Sequence, residues 1–361
     1  MIKHWVWLSQ IKGIGYITQR MLVKHFGDPQ SVFNATRSDL SKVYGLNLRA
    51  VKRVLESRSF ENTENILRKS ERFKIKIIPY NHELVPKSVK EQPDLPCVLY
   101  YIGSIRKENE GIAIIGSRRC TSYGKAVTKE AAEFLAGHNI AVISGMAKGI
   151  DGYAHTACIK VGGYTLAFLG NGLDICYPEE HRSLMERIIE SGAVISPYPP
   201  ETKAFPGNFH IRNGLISAWA KKLLVVEAAE KSGTFITVEY AKKYKKQIFA
   251  VPNSIYCKGS IGTNQLIYEG AQIYISPNQL IDDMKESSFE SQNIIQKKAD
   301  KQRFKTIKTD NRFAINASLE VKILKCIEGG AEYVDMLMDS LPAGRNEIME
   351  ALCILDLEEK I

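Results

Sequence analysis

Cysteine is scarce and poorly spaced for chemistry. Seven occur in 361 residues (Cys97, Cys120, Cys158, Cys176, Cys257, Cys326 and Cys353), and no two lie closer than 18 positions apart. That spacing excludes a CxxC zinc or redox site and offers no disulfide framework. Long apolar runs are missing as well, since none approaches the roughly 18 residues that a membrane helix needs. The opening stretch from Met1 to Leu8 turns polar at Ser9-Gln10, short of a secretory signal's apolar region. No G-x-x-x-x-G-K-[ST] occurs, which argues against a P-loop motor, and no G-x-G-x-x-G follows the first strand, which argues against NAD or FAD. G-x-S-x-G, H-E-x-x-H and Cys/His clusters are absent too, so hydrolase and metal chemistry have no support. Neither a metal nor a cofactor is expected, and no internal repeat is visible. With 44% hydrophobic and 25% charged residues, the chain reads as a reduced, cytosolic, globular protein of two or three domains.

Charge is unevenly spread. Residues 1–75 carry 14 basic and 6 acidic side chains, residues 76–277 carry 23 and 18, and residues 278–361 carry 12 and 16. From Phe313 onward the count is 4 against 10. A basic body suits a polyanionic partner, and an acidic tail is repelled by one.

Residues 1–75 predict a small N-terminal helical domain of SAM or helix-hairpin-helix type. Apolar residues recur there at helical spacing and Gly13, Gly15, Gly27 and Gly45 interrupt them. Lys12-Gly13-Ile14-Gly15 resembles a helix-hairpin-helix turn that can offer N–H groups to a DNA phosphate, and reads equally as a plain helical connector. Residues 76–284 predict a Rossmann-like α/β domain. A proline-punctuated connector carries strands near 75–78 and 97–102. Apolar strands then fall at 112–115, 141–143, 165–169, 193–195, 223–226, 248–251 and 272–275, alternating with helices at 124–137, 151–161, 179–190, 211–219 and 235–245. Such alternation means a doubly wound, mostly parallel sheet covered on both faces. Residues 285–312 read as a flexible linker, and 313–361 as a C-terminal winged-helix-like module with little wing.

Ligands of a doubly wound sheet bind outside the carboxyl ends of the strands. Four turns at that edge join glycine to small or cationic residues. They are Gly116-Ser117-Arg118-Arg119; Ser144-Gly145-Met146-Ala147-Lys148-Gly149; Gly170-Asn171-Gly172; and Ser232-Gly233-Thr234. Glycine permits close backbone approach and arginine grips phosphate bidentately, so the edge reads as a phosphate or nucleotide site. The loop Pro206–Gly214 adds Phe209 for stacking on a base, with Arg212 and Asn213 for phosphate or base edge. Tyr198 and Trp219 read as core, Asp151 as a helix cap, Asp174 as a turn former and Glu227 as structural. Lys203 and Lys231 are candidates for additional contacts.

These residues, with Ser122-Tyr123-Gly124, Val225-Val-Glu-Ala228, Phe249-Ala-Val-Pro252 and the Gly262–Ala271 stretch, together resemble the DprA (Smf) family of bacterial DNA-processing proteins of natural transformation. The resemblance is dense over 110–277. It implies a non-enzymatic protein that binds single-stranded DNA, forms homodimers and loads the recombinase RecA. It also implies a phosphate-binding turn at Gly116, Ser117 and Arg118 and a second DNA contact at Phe209, Arg212 and Asn213. Three departures stand out. Gly214 replaces the family's second loop arginine, Pro206 stands where some members carry lysine (with Lys203 nearby to compensate), and Asn253 follows Pro252 where glycine is usual. The acidic C-terminal module is expected to contact protein or to regulate the core.

A phosphoribohydrolase-like nucleotide enzyme is the alternative. Its Pro-Gly-Gly-x-Gly-Thr-x-x-Glu motif corresponds to Ala229–Thr237, where one glycine survives and Thr237 occupies the glutamate's place.

Overall fold

The computed structural model describes residues 1–108, 110–281, 314–358 and 360–361; the linker expected at 285–312 lies outside the described residues. The chain begins with six helices, α1 Ile2–Ser9, α2 Tyr16–Phe26, α3 Pro29–Asn34, α4 Arg37–Ser41, α5 Leu48–Glu56 and α6 Glu61–Arg72. Strand β1 (Lys76–Pro79), the short α7 (Lys87–Lys90) and β2 (Val98–Gly103) lead into the repeating part. There β3 Gly111–Ile115, α8 Ser122–Gly137, β4 Ala141–Ser144, α9 Ile150–Lys160 and β5 Thr165–Phe168 follow in turn. Next come α10 Arg182–Ser191, β6 Ala193–Ser196, α11 Pro206–Trp219, β7 Ala220–Val225, α12 Thr234–Lys243, β8 Gln247–Ala250, α13 Ile261–Tyr268 and β9 Gln272–Ile273. The chain closes with α14 Ala314–Glu328, α15 Val334–Ser340 and α16 Arg345–Leu357, and no strand joins them among the described residues.

The sheet runs β1-β2-β6-β5-β4-β3-β7-β8-β9. The pairs β1–β2 and β2–β6 are antiparallel and the others parallel, the Rossmann-like arrangement that the apolar strands predict. Within β3, Ile112 and Ile114 face one core while Ala113 and Ile115 face the other, so both faces are covered. From β3 the chain builds β4, β5 and β6 to one side, then returns to lay β7, β8 and β9 on the other. The order reverses at β3, which opens a crevice beyond its carboxyl end.

One expectation is corrected. Residues 206–214, read as a loop, form the first turns of α11. Pro206 takes the first helical position, where its fixed φ suits a helix and its missing N–H costs nothing.

The N-terminal helices share a core with the sheet edge. Trp5, Trp7 and Leu22 belong to the cluster that contains Val98, Tyr100 and Val194. Arg20 is the clamp. Buried, it donates hydrogen bonds to the carbonyls of Lys90, Leu95 and Pro96, at 3.2 Å each, and stacks 3.3 Å from the Tyr80 ring. At the other end, Asp356 on α16 pairs with Lys125 (2.8 Å) and accepts from the Tyr153 hydroxyl (2.6 Å), while Glu358 pairs with Arg187 (3.0 Å). No helix among the described residues is long and apolar enough to cross a membrane.

Replacing Arg20 by alanine strands three carbonyls, two of them in buried hydrogen bonds. We expect a loss of about 3 kcal/mol in urea unfolding; a change below about 0.5 kcal/mol would show that the clamp does not tie the N-terminal helices to the core.

Candidate nucleic-acid interface

The crevice is occupied by a cleft of about 580 Å³. Its walls gather what the sequence reading had scattered over 120 residues: Gly116, Ser117, Arg118 and Arg119 from the turn after β3, Phe209, Arg212 and Asn213 from α11, and Ser232, Gly233 and Thr234 ahead of α12. A smaller adjoining hollow of about 60 Å³ is lined by Gly145 and Lys148 together with Arg118, Tyr177, Phe209 and Arg212.

The turn after β3 is closed by Ser117, whose hydroxyl donates to the Arg119 carbonyl (2.9 Å) and accepts from the Arg119 N–H (3.1 Å). Arg118 and Arg119 are thereby exposed, and neither has an acid partner among the described residues. Thr234 links the second wall to the first, its hydroxyl donating to the Gly116 carbonyl (3.4 Å) and its N–H to Ser232 (3.2 Å).

The turn after β4 serves differently. Gly149 has φ +74°, and a Cβ there would lie 2.3 Å from the Ser117 carbonyl oxygen, so only glycine lets the two turns meet. Asp151 does not cap its own helix as expected; the N-cap is Gly149. Its carboxylate instead accepts the N–H groups of Gly145 (3.1 Å) and Ala147 (3.4 Å), and Ile150 donates to the Ser117 carbonyl (3.2 Å). Lys148 is ion-paired with Glu180.

Arg212 does not project freely. At 5% exposure it lies under the cleft floor and donates to the carbonyls of Gly145 and of Phe168 (2.8 Å). Burial lowers its pKa to about 10 despite the opposing charge of Asp151. Burial likewise raises Asp151, with Arg212 pulling the other way. Phe209 is half-buried, seated on Gly170, with its centroid 5.7 Å from the Tyr177 ring and 5.4 Å from the Arg212 guanidinium. Glu227 is structural, as read: buried, it accepts from the Thr121 N–H (3.1 Å) and hydroxyl at the start of α8. Asp174 accepts from the Glu201 N–H (2.9 Å). Trp219 is core, while Tyr198 is partly exposed and donates to the Asn208 carbonyl (3.2 Å), pinning the start of α11.

Two departures from the family pattern acquire a geometry. A Cβ on Gly214 would meet Leu95 and Tyr240, both at 3.2 Å, and Gly214 does not line the cleft. The arginine absent there is therefore no loss to the cleft wall. The Asn253 side-chain amide donates to the Ser260 hydroxyl (2.9 Å), and the Asn253 backbone N–H and carbonyl pair with the side-chain amide of Asn264, fastening α13. Lys203 and Lys231 are exposed and line neither cavity. Sequence reasoning passed over His210 and Ile236, which also line the cleft; the helical phase of α11 and α12 carries the signal for them. Among the described residues no group of three or more His, Cys, Asp or Glu is placed to hold a metal.

Fold and cleft together define a Rossmann-like protein with cations and an aromatic ring at the switch point of its sheet. The profile of the DNA recombination-mediator protein A family matches residues 76–285. Protein Smf of Synechocystis sp. is 33% identical over 283 residues, covering 77% of this chain and 71% of that protein. DNA processing protein A of Streptococcus pneumoniae superposes with a TM-score of 0.69 at 26% identity, covering 78% of this chain and 98% of that one. The Helicobacter pylori protein, described for its single-stranded DNA binding mode, gives 0.53 at 27% identity, over 59% and 97%. The chain belongs to the DNA recombination-mediator protein A family.

Arg212→Met leaves the Asp151 carboxylate buried without its counter-charge, and should cost about 3–5 kcal/mol in urea unfolding at pH 7. A buried acid with a raised pKa supports the fold below its unfolded pKa and loses that support as pH rises through the folded value. The deficit should accordingly be smaller at pH 5 than at pH 7; equal deficits would remove Asp151 from the account.

Proposed function

We propose that the protein binds single-stranded DNA along this cleft without chemical turnover, and that as a homodimer it hands the strand to the recombinase RecA. The observation that carries the reading is the company of Arg118 and Arg119, exposed and free of acid partners among the described residues, with the half-buried ring of Phe209 in one cleft. Phosphates lie on the Gly116–Arg119 turn and beside Ser232–Thr234, and a base stacks on Phe209. Gly145 and Gly149 serve by bringing the turns together, and Arg212 by holding the floor. Asn213 reaches phosphate or base edge from the α11 wall, and Lys148 acts when DNA displaces Glu180. Lys203 and Lys231 act beyond the cleft, on a longer strand.

The non-catalytic reading is supported by the carboxylates at hand. Asp151 and Glu227 are both engaged by backbone N–H groups, and the position of the phosphoribohydrolase glutamate is the buried Thr237. The homodimer is supported by the exposed apolar residues around α13 and β9, among them Tyr256 (90%), Tyr268 (87%) and Ile275 (79%). The docked acidic C-terminal helices suit a protein-facing or regulatory role.

Fluorescence anisotropy on a 20-nucleotide oligo(dT) across a salt series tests the reading. Phe209→Ala should weaken binding about 5- to 150-fold, the worth of one stacked base. Arg118→Ala should reduce the slope of log affinity against log salt by about 0.7, one phosphate contact on a single strand. Wild-type affinity in both variants would put the strand elsewhere.

A further inference from the structure

The N-terminal helices contain a duplication that the sequence conceals. Helix α1 ends at Ser9 and α4 at Ser41; α2 begins at Tyr16 and α5 at Leu48. Each pair is offset by 32 residues, as are Gly13 and Gly45, which both take positive φ (+74° and +81°). The turn hydrogen bonds repeat at the same offset. Gln10 N–H to the Trp7 carbonyl matches Lys42 to Asp39, Ile14 to Ile11 matches Leu46 to Val43, and Gln19 to Gly15 matches Val51 to Asn47. The expectation of no internal repeat is corrected. Besides these glycines, few positions keep their identity (Leu8 and Leu40, Ser9 and Ser41), too few for a sequence signal.

The two hairpins also meet reciprocally. A Cβ on Gly13 would fall on the Arg53 guanidinium, and one on Gly45 would touch Met21 Sδ at 3.6 Å; Met21 and Arg53 are themselves equivalent positions. Contacts i-to-j matched by j-to-i are the mark of a two-fold axis, here a pseudo-dyad within one chain. Around it the surface is cationic. Lys12, Arg49 and Arg53 are exposed, none with an acid partner among the described residues. Tyr44 (96% exposed) and Leu48 (73%) stand out from the second turn without packing partners of their own size.

We infer that this pseudo-symmetric face docks on duplex DNA, one hairpin on each strand. A duplex presents two antiparallel phosphate backbones related by local dyads, and proteins matched to it carry the same symmetry. A single strand offers one backbone and leaves half of this face unused. The net basic charge of residues 1–75 supplies the attraction, and exposed apolar side chains beside cations suit the sugar edges of a minor groove. The surface is separate from the cleft, so the protein holds a single strand and a duplex at two places.

Anisotropy of the full chain on a blunt 20-base-pair DNA duplex tests this. Lys12→Glu combined with Arg49→Glu should weaken duplex binding about ten-fold or more and lower its salt slope by about two. Binding of oligo(dT) should stay within about two-fold, which also reports that the variant is folded. Arg118→Ala should give the opposite pattern, so failure of the cleft reading and failure of this one are separable. Absence of duplex binding by the wild-type chain, an unchanged duplex affinity in the double variant, or an equal loss on both probes would overturn the inference.

Discussion

A single buried cation, Arg212, underlies the geometry of the whole cleft. Its guanidinium bonds the carbonyl that ends β5 and the carbonyl of Gly145 just past β4, and it faces the buried Asp151, which in turn gathers the N–H groups of the same β4 turn. The ends of β4 and β5 and α11 are thereby fixed to one another in a low-dielectric floor, where such interactions are strong and their loss is costly. Gly145 is required because a Cβ there would lie 1.8 Å from an Arg212 nitrogen. The exposed arginines and Phe209 are positioned above this floor without having to build it.

That division of labour explains which parts of the cleft's architecture were legible in the sequence. The strands were legible because short apolar runs between helical stretches have few other meanings, and β3 to β8 fall within a residue or three of their expected places. The gathering of the glycine turns followed from topology, since turns at the carboxyl ends of neighbouring parallel strands must meet. Arg118 and Arg119 follow a strand directly, so their exposure could be read. Arg212 could not be distinguished from them, because its burial depends on carbonyls 44 and 67 positions away. The start of α11 was missed because Pro206, Gly207 and Gly214 imitate a loop. Gly207 and Gly214 weaken a helix locally, and packing against α12 and the sheet overrides that weakness. Lys148 looked free because its partner Glu180 lies 32 residues on.

The two ends of the chain are fastened to this body in chemically different ways. The N-terminal helices are bound by shared apolar core and by Arg20 over the connector, with their cations directed outward. The C-terminal helices dock through carboxylates, Asp356 against Lys125 and Tyr153 and Glu358 against Arg187, with Leu357 buried beside them. The two modules differ in charge as well as in attachment, and the last helix of the acidic one packs on α9 and α10.

The most direct test of the central claim is to photocrosslink an oligo(dT) carrying one 5-iodo-deoxyuridine to the full chain and map the adduct by mass spectrometry. The account predicts an adduct within the α11 segment Pro206–Trp219, at Phe209, and its disappearance in Phe209→Leu. Adducts confined to other segments, with none on α11, would contradict it.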